Sequence, residues 1–284
     1  MLSRRDPATA TRRAVRAHYG RHADLCSRIR NALPAVGGNP ERPSFDALHQ
    51  LDQFHVGGAG ATRELAEAAG LRDTTVLDLG CGIGGPARML AQEYGCTVTG
   101  VDITEANCTN ARTLSGWVGL SAETRFLCAS MDALPLAPGT WPVAWSQHAI
   151  MTIPDTPQVY AEIARVLQPG GLFVHHDIVA GRGGTPYFPV PWASEPAGSY
   201  LQRPEVLHDQ MEAAGLVPRT WMDLTESVRA RTLEKEAARA AGTPESAGPH
   251  LVQGPGFETM RANLARNLRE WRIGVVQGIW QRRR

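Results

Sequence analysis

Residues 76–86 read VLDLGCGIGGP, which is the end of an apolar run followed by a loop of glycines and a proline. Glycine lets the backbone turn sharply and approach a ligand without a Cβ in the way. Asp102 closes the next apolar run, 20 residues after Gly82. An acidic side chain placed there can accept hydrogen bonds from both hydroxyls of a ribose. The pattern predicts a nucleotide-like ligand at the carboxyl ends of two parallel strands.

Outward from this loop, strand-like and helix-like segments alternate. The predicted strands are Thr75–Leu79, Thr97–Val101, Thr124–Cys128, Val143–Ser146 and Leu172–Ile178, and helical periodicity fills Gly85–Tyr94, Glu105–Leu114 and Gln158–Leu167. This alternation predicts an α/β fold in which a parallel sheet carries helices on both faces.

The segments on either side of the alternation are predicted to cover the core. A polar helix, Pro7–Ala32, precedes a linker at Leu33–Pro43 and a helix at Thr62–Ala69, while Gly181–Gly198 forms a loop over the edge of the sheet. Helices Pro204–Ala214, Glu226–Ala241 and Phe257–Glu270 are interspersed with strands at Leu216–Leu224 and Arg272–Trp280, which suit an antiparallel edge. The expected division is a helical lid over 1–60, a ligand-binding core over 61–180, and a loop, cap helices and two strands over 181–284.

Composition excludes several classes of function. The 284 residues carry 29 basic and 28 acidic side chains, a net charge of +1, so no global field favours nucleic acid or an anionic membrane. The sequence contains no apolar run of about 20 residues and no signal peptide. The five cysteines are scattered and include no CxxC pair, which predicts neither disulfides nor zinc. We expect a cytoplasmic protein with a small-molecule substrate; the oligomeric state is not readable from these features.

Two cofactors satisfy the glycine loop. Gly80, Gly82 and Gly85 fit the dinucleotide pattern G-x-G-x-x-G, which predicts an NAD(P)-dependent oxidoreductase. Asp78, two residues before the first glycine, is instead placed to orient a loop that meets a charged amino acid. Ser130-Met131-Asp132 places polar groups where an adenine edge would lie, and Pro169-Gly170-Gly171 leads into the fifth strand.

Together these segments resemble class I S-adenosylmethionine-dependent methyltransferases over about Leu51 to Asp177. The stretches LDQFHVGGAGATRELA at 51–66 and WSQHAIMTIPD at 145–155 are similar to the small-molecule branch, which includes sarcosine/dimethylglycine, sterol and γ-tocopherol methyltransferases and actinobacterial natural-product enzymes. The resemblance implies a Rossmann-like sheet of seven strands with an antiparallel last strand, a helical lid, and S-adenosyl-L-methionine as the cofactor.

The resemblance also implies roles for individual residues. Gly80, Gly82 and Gly84 would lie against the methionyl part, Asp102 on the ribose and Asp132 at the adenine, with Ile103 and Met131 on either side of the ring. Gln147 would approach the methionyl end.

His148 follows the fourth strand and is our expected catalytic base, because a histidine of near-neutral pKa can take a proton from the nucleophile. The same histidine would serve equally well as a hydrogen-bonded loop residue without a proton role.

The expected substrate contacts are Tyr19, His55, His175, Asp177 and Trp192. Alternation places His175 and Asp177 on one face of the fifth strand and His176 on the other. A metal held by His148, His175 and Asp177 is conceivable, but nothing in the spacing requires it, and we predict no metal. Glu195 is an alternative base from the loop, although an exposed glutamate is the simpler interpretation.

The sequence therefore predicts a methyltransferase that modifies an O, N or C atom of a small metabolite, in secondary metabolism. The alternatives are an NAD(P)-dependent oxidoreductase and a protein of methyltransferase fold without methyl transfer activity, since a fold does not fix a function.

Overall fold

The computed structural model describes residues 24–243, 247–254 and 256–284, and these form one seven-stranded sheet between layers of helices. The strands are β1 (Thr75–Leu79), β2 (Thr97–Asp102), β3 (Thr124–Cys128), β4 (Trp141–Gln147), β5 (Leu167–Ala180), β6 (Leu216–Asp223) and β7 (Ile273–Arg282). The helices are α1 (Leu25–Ala32), α2 (Phe45–Leu48), α3 (Gly58–Ala68), α4 (Gly85–Tyr94), α5 (Glu105–Trp117), α6 (Thr156–Val166), α7 (Pro204–Ala213), α8 (Thr225–Ala240) and α9 (Phe257–Arg269).

The strand order is β3-β2-β1-β4-β5-β7-β6. Strands β1 to β5 pair in parallel, and β7 runs antiparallel to both β5 and β6. The predicted fold class, with an antiparallel last strand, is confirmed. The strand order reverses between β1 and β4, because β2 and β3 lie on one side of β1 while β4 and β5 lie on the other. Ligands of open α/β sheets bind at such a point.

The sheet divides the core into two apolar layers. Leu77 and Leu79 point into a layer shared with Ile163 of α6, whereas Val76 points into a layer shared with Leu65 of α3 and Leu90 of α4. Successive residues of a strand face opposite sides, so this short apolar strand is buried on both faces, as parallel strands are.

The two late strands form the predicted antiparallel edge beside the parallel strands. Within that edge β7 lies between β5 and β6, and β6 is the outermost strand. The residues Ile273–Trp280 are all buried, whereas most of β6 is partly or fully exposed. An apolar segment gains more free energy between two strands than at a solvent-exposed edge, which explains the insertion.

Several boundaries also shift. Strand β5 begins at Leu167 and contains the Pro-Gly-Gly turn that was predicted to precede it. The linker after α1 contains a 3₁₀ turn at Leu33–Val36 and is followed by α2, which the prediction left out. The side chain of Ser44 accepts a hydrogen bond from the N–H of Ala47 at the start of α2, and such a cap stabilises a helix. With four residues, α2 is too short to show a helical periodicity in the sequence. Most of the predicted first helix lies outside the described residues.

Segments outside the alternating core cover the carboxyl ends of the strands. Leu25 and Ile29 of α1 pack with Ile83 of the glycine loop and with Val252. On the other side, Trp192 packs with neighbours from α8, α9 and β7. No helix in the described part of the chain is long and apolar enough to cross a membrane. The three-part division of the chain stays a prediction.

Candidate active site

The glycine loop and Asp102 form one hydrogen-bonded unit. One carboxylate oxygen of Asp102 accepts the N–H of Gly82 at 3.0 Å, and the other accepts the N–H of Thr104 at 2.8 Å and the amide of Asn107 at 3.2 Å. Burial raises the pKa of Asp102, and these three donors oppose that rise. Because each carboxylate oxygen has more than one acceptor site, the side chain retains capacity for a ligand.

A cavity of about 400 Å³ opens from this unit, within the volume range of small-molecule sites. Its wall contains apolar, histidine and aspartate side chains, and no arginine or lysine of the described residues. The lining residues that come from the expected cofactor set are Gly80, Gly82, Asp102, Ile103, Met131, Asp132 and Gln147. The structure therefore gathers seven of those nine residues around one space; their individual roles stay predictions.

Gly80 and Gly84 differ in their relation to this cavity. Both have positive φ angles, 76° and 79°. A Cβ on Gly80 would lie 2.2 Å from the Cβ of Ala149, so the loop passes close beneath the segment after β4. A Cβ on Gly84 would instead meet the ring of Phe126 at 2.7 Å. Gly84 caps α4 and is not part of the cavity wall, so its expected contact with a cofactor is not supported by its position.

Asp78 also lies outside the wall. Its carboxyl group is buried beneath the loop, and its Oδ2 has no hydrogen-bond partner. Burial, followed by the charge of Asp102, raises its pKa to about 7. A carboxyl group at this position can act on a ligand only through the loop above it.

Beyond the loop, His148 also lines the cavity. This residue has a φ of 51°. A positive φ is uncommon for residues other than glycine, although histidine is among those that adopt it most often, and such residues cluster at functional sites. Its backbone N–H donates to the carbonyl of His176 at 2.9 Å, one position beyond the pairing of β4 with β5. Burial lowers the pKa of His148 well below its usual value, and the nearby His176 and His55 lower it further.

Three imidazole rings lie close together beside the cavity. The ring centroid of His148 is 4.9 Å from that of His176 and 6.1 Å from that of His55, and the latter two are 6.3 Å apart. Burial lowers the pKa of His55 to about 4 and that of His176 to about 3, so all three rings are neutral at pH 7.

His55 is held by the start of α3. Its Nε2 lies 2.9 Å from the carbonyl oxygen of Gly58 and 3.1 Å from the hydroxyl of Thr62. Since a carbonyl only accepts, Nε2 carries the proton. The hydroxyl of Thr62 donates to the Oε1 of Gln147, which also accepts the indole N–H of Trp145. This network joins α3 to the end of β4 and fixes two cavity residues, His55 and Gln147.

A buried ion pair positions the segment that delivers His55. Arg88 of α4 lies 2.8 Å from Asp52, and each side chain is 1% exposed. Gly85, at the start of α4, allows the close approach: a Cβ there would lie 2.4 Å from the carbonyl oxygen of Asp52. The motif DQFH at 52–55 is thus held against the first turn of α4.

Two expected substrate residues lie elsewhere. His175 stacks on Phe173 at 5.3 Å and accepts the indole N–H of Trp280 at 3.3 Å, in the core on the side of the sheet away from His148. Asp177 is also absent from the cavity wall; its carboxylate accepts the backbone N–H groups of Ile150 and Met151. The alternation along β5 is correct, but His176, and not His175 or Asp177, is on the side of the cavity.

The remaining expectations divide similarly. Trp192 lines the cavity, with its indole N–H donated to Ser199 at 2.9 Å, whereas Glu195 is exposed. Tyr19 lies outside the described residues. Phe54 and Trp192 line the cavity, whereas four other aromatic residues do not: Trp145, Tyr187, Phe188 and Tyr200. His148 and His175 lie on opposite faces of the sheet, so the conceivable metal site with Asp177 does not assemble.

Sequence reasoning missed His176 and Asp52 as residues of the site. A usable signal existed for His176, because it pairs with Gln147 across β4 and β5, and neighbours in register share a face. That register depends on where the fifth strand begins, which was predicted five residues late. No local pattern predicted that Asp52 would find Arg88.

Comparison with known proteins identifies the core. Residues 77–175 match the family model described as a methyltransferase domain. The chain is 36% identical over 104 residues to 24-methylenesterol C-methyltransferase 2 of Oryza sativa, and the aligned segment covers 37% of this chain and 29% of that protein. It is 38% identical over 133 residues to the methyltransferase GfsG of Streptomyces halstedii, and that alignment covers 45% of this chain and 47% of GfsG. The chain thus spans less than half the length of these relatives.

Among solved structures, geranyl diphosphate C-methyltransferase of Streptomyces coelicolor, in complex with Mg²⁺, geranyl-S-thiolodiphosphate and S-adenosyl-L-homocysteine, superposes with a TM-score of 0.71. The match covers 98% of this chain and 99% of that one at 20% identity, so it shows the fold. Together the matches confirm the resemblance to class I methyltransferases drawn from the sequence.

Proposed function

We propose that this chain, whose residues 77–175 match a methyltransferase domain, transfers the methyl group of S-adenosylmethionine to a small molecule. One observation carries the proposal: the carboxylate of Asp102 is hydrogen-bonded to the glycine loop at Gly82 in the wall of a cavity that His148 also lines. This arrangement would offer a ribose-binding carboxylate, a close backbone approach and an imidazole for the nucleophile around one space.

The chain would act mainly by alignment. S-adenosylmethionine supplies a methyl carbon that its sulfonium already activates, so the protein has to orient that carbon in line with the acceptor and exclude water. Asp102 would bind the ribose, with Ile103 and Met131 beside the adenine. The backbone at Gly80 and Gly82 would face the methionyl group. His148, Phe54 and Trp192 would surround the acceptor.

The start of α4 argues against the dinucleotide alternative. A pyrophosphate on a glycine loop takes backbone N–H groups at a helix N-terminus. Here Pro86 removes one of these donors. The backbone of Asp52 also lies beside Gly85, at a distance of 2.4 Å from the position a Cβ would take. The start of α4 thus lines the cavity with one backbone donor fewer than a pyrophosphate site would use.

The proposed acceptor is a small metabolite, in keeping with the acceptors named for several relatives, and its biosynthetic setting is secondary metabolism. The proposed location is the cytoplasm, because all five cysteines are free thiols and a reducing compartment keeps them so.

Calorimetric titration tests the cofactor first. We expect S-adenosylhomocysteine to bind with a micromolar Kd, while NADH and NADPH give no heat under the same conditions. Binding of a nicotinamide cofactor alone would overturn the proposal and favour the oxidoreductase.

Transfer is then measured with methyl-labelled S-adenosylmethionine and a panel of small acceptors. A protein that binds S-adenosylhomocysteine but labels no acceptor across the panel would favour the third reading, a methyltransferase fold without transfer.

A further inference from the structure

His176 is the one buried imidazole near the cavity whose two ring nitrogens both lack a hydrogen-bond partner, among the residues that the structure describes. The residue is 1% exposed. In front of it lies His148, which lines the cavity and whose Nε2 is also buried and without a partner. Buried polar atoms of this kind are costly and call for an explanation.

Neither ring supplies the other with a hydrogen bond in this geometry, yet their centroids are 4.9 Å apart at a tilt of 46°. A neutral imidazole has one N–H and one lone pair. A modest rotation of either ring would let the N–H of His148 donate to a lone pair of His176. The opposite nitrogen of His148 would then present its lone pair to the cavity.

We propose, on the premise of the function proposed above, that the methyl acceptor is a hydroxyl compound whose O–H donates to His148, and that His176 is the positioning residue that fixes the tautomer of His148. His55 also lines the cavity. Its Nε2–H donates to the carbonyl oxygen of Gly58 at 2.9 Å, so this N–H is not available to the acceptor. The expected reaction is methylation on oxygen.

The atoms and charges of this step balance. A lone pair of the acceptor oxygen forms the new bond to the methyl carbon as the carbon–sulfur bond breaks, and its electrons return to sulfur, which becomes a neutral thioether. The hydroxyl proton passes to His148, which becomes an imidazolium. The positive charge therefore moves from the sulfonium to His148, where the N–H donated to His176 stabilises it. This is the logic of a base oriented by a third group.

The weak basicity of these rings favours a hydroxyl over an amine. An alkyl ammonium has a pKa of about 10 and carries no lone pair until it loses a proton. Burial lowers the pKa of His148 well below its usual value, so this imidazole cannot remove that proton at pH 7. A hydroxyl already has its lone pair, and its proton becomes strongly acidic as the carbon–oxygen bond forms, so a weak base suffices.

The cavity wall agrees with a neutral acceptor. Asp102, Asp132 and Asp155 lie in it, and no arginine or lysine of the described residues does. Within the described part of that wall, a carboxylate or phosphate acceptor would meet no arginine or lysine. The aromatic faces of Phe54 and Trp192 offer apolar contact instead.

Phenol and benzylamine are matched probes for this proposal. Each is titrated into the protein saturated with S-adenosylhomocysteine, with the ring nitrogens of ¹⁵N-labelled histidine followed by NMR. We expect phenol to bind and to shift the nitrogens of His148 and His176, with a proton on the Nε2 of His148, whereas benzylammonium leaves both unchanged.

Variants of His176 distinguish a role in positioning the ring of His148 from a role in packing alone. His176→Phe keeps the ring volume without its nitrogens and should weaken phenol about tenfold, the loss of one buried hydrogen bond, with the Kd of S-adenosylhomocysteine unchanged. His176→Gln restores a donor and an acceptor and should recover most of the affinity. His175→Phe is the matched control on the opposite face of β5 and should bind phenol as the parent protein does.

Each remaining outcome decides the question. Equal binding of benzylammonium, absence of phenol binding, or phenol binding that His176→Phe leaves unaltered would overturn the proposal. If His176→Phe does not fold, the NMR signals of the parent protein and the His176→Gln variant decide. If the parent protein does not bind S-adenosylhomocysteine, the proposed function itself fails. The calorimetric titration with that compound alone detects this failure separately from the phenol experiment.

Discussion

Two glycines of the same loop should respond differently to the same added methyl group. Gly80 and Gly82 have φ angles of 76° and 52°, so alanine is strained at both, at a cost of about 1–2 kcal/mol. At Gly80 the new Cβ would lie 2.2 Å from that of Ala149, whereas at Gly82 it would meet nothing within 4 Å. Carbon atoms prefer a separation of about 3.5–4.0 Å, so Gly80→Ala also forces the loop and Ala149 apart.

The difference between the two variants isolates that overlap, because the backbone strain is common to both. Overpacking typically costs about 1–3 kcal/mol, and we expect Gly80→Ala to be less stable than Gly82→Ala by this amount in urea denaturation. For cofactor binding, the methyl group of Gly82→Ala enters the cavity and should raise the Kd of S-adenosylhomocysteine at least about tenfold, although the fold is retained.

Equal free energies of unfolding for the two variants would refute the packing argument at Ala149. Unchanged cofactor affinity in Gly82→Ala would refute the placement of the cofactor against the loop. A circular dichroism spectrum that matches the parent protein is the control for both measurements.

Three further predictions concern charged groups. Asp102→Ala should abolish measurable binding of S-adenosylhomocysteine in calorimetry, and retained micromolar affinity would contradict the ribose contact. Arg88→Met leaves the buried carboxylate of Asp52 without its partner and should lower the free energy of unfolding by about 3–5 kcal/mol. The control Arg63→Met removes a partly exposed ion pair and should cost less than about 1 kcal/mol. Similar losses in the two variants would contradict the argument that burial makes the Arg88 pair the costlier one to break. Burial raises the pKa of Asp177 from 3.8 to about 7, so the folded state holds a proton that the unfolded state has lost; the stabilisation is present below pH 4 and disappears as the pH rises through 7. The stability of the parent protein relative to Asp177→Asn should thus fall by about 4 kcal/mol between these limits, and a pH-independent difference would show that Asp177 is ionised throughout.

Local sequence determined much of the cofactor end. A local pattern predicts that the glycines at 80 and 82 and the carboxylate at 102 lie together. They stand at the ends of two strands that a single βαβ unit connects. The right-handed connection of that unit leaves little freedom in how the two strand ends meet. Hence Gly80, Gly82, Asp102 and Ile103, which all belong to or adjoin this unit, lie around one cavity.

The acceptor end depended on longer-range packing. Alternation correctly separated His175 from His176 but could not tell which of them lies on the side of the cavity, because both faces of β5 are buried. That choice was made by β7, whose insertion beside β5 places Trp280 against His175.

The sequence by itself thus determined the fold class, the glycine loop and the carboxylate at the end of β2, since these follow from periodicity and from contacts within one βαβ unit. Only the tertiary structure decided that His55, His148 and His176 meet. Their meeting depends on the pairing of β4 with β5 and on the ion pair between Asp52 and Arg88, which are 36 residues apart. Contacts between distant segments are selected by the free energy of burying whole surfaces together, and no local pattern of residues encodes that selection.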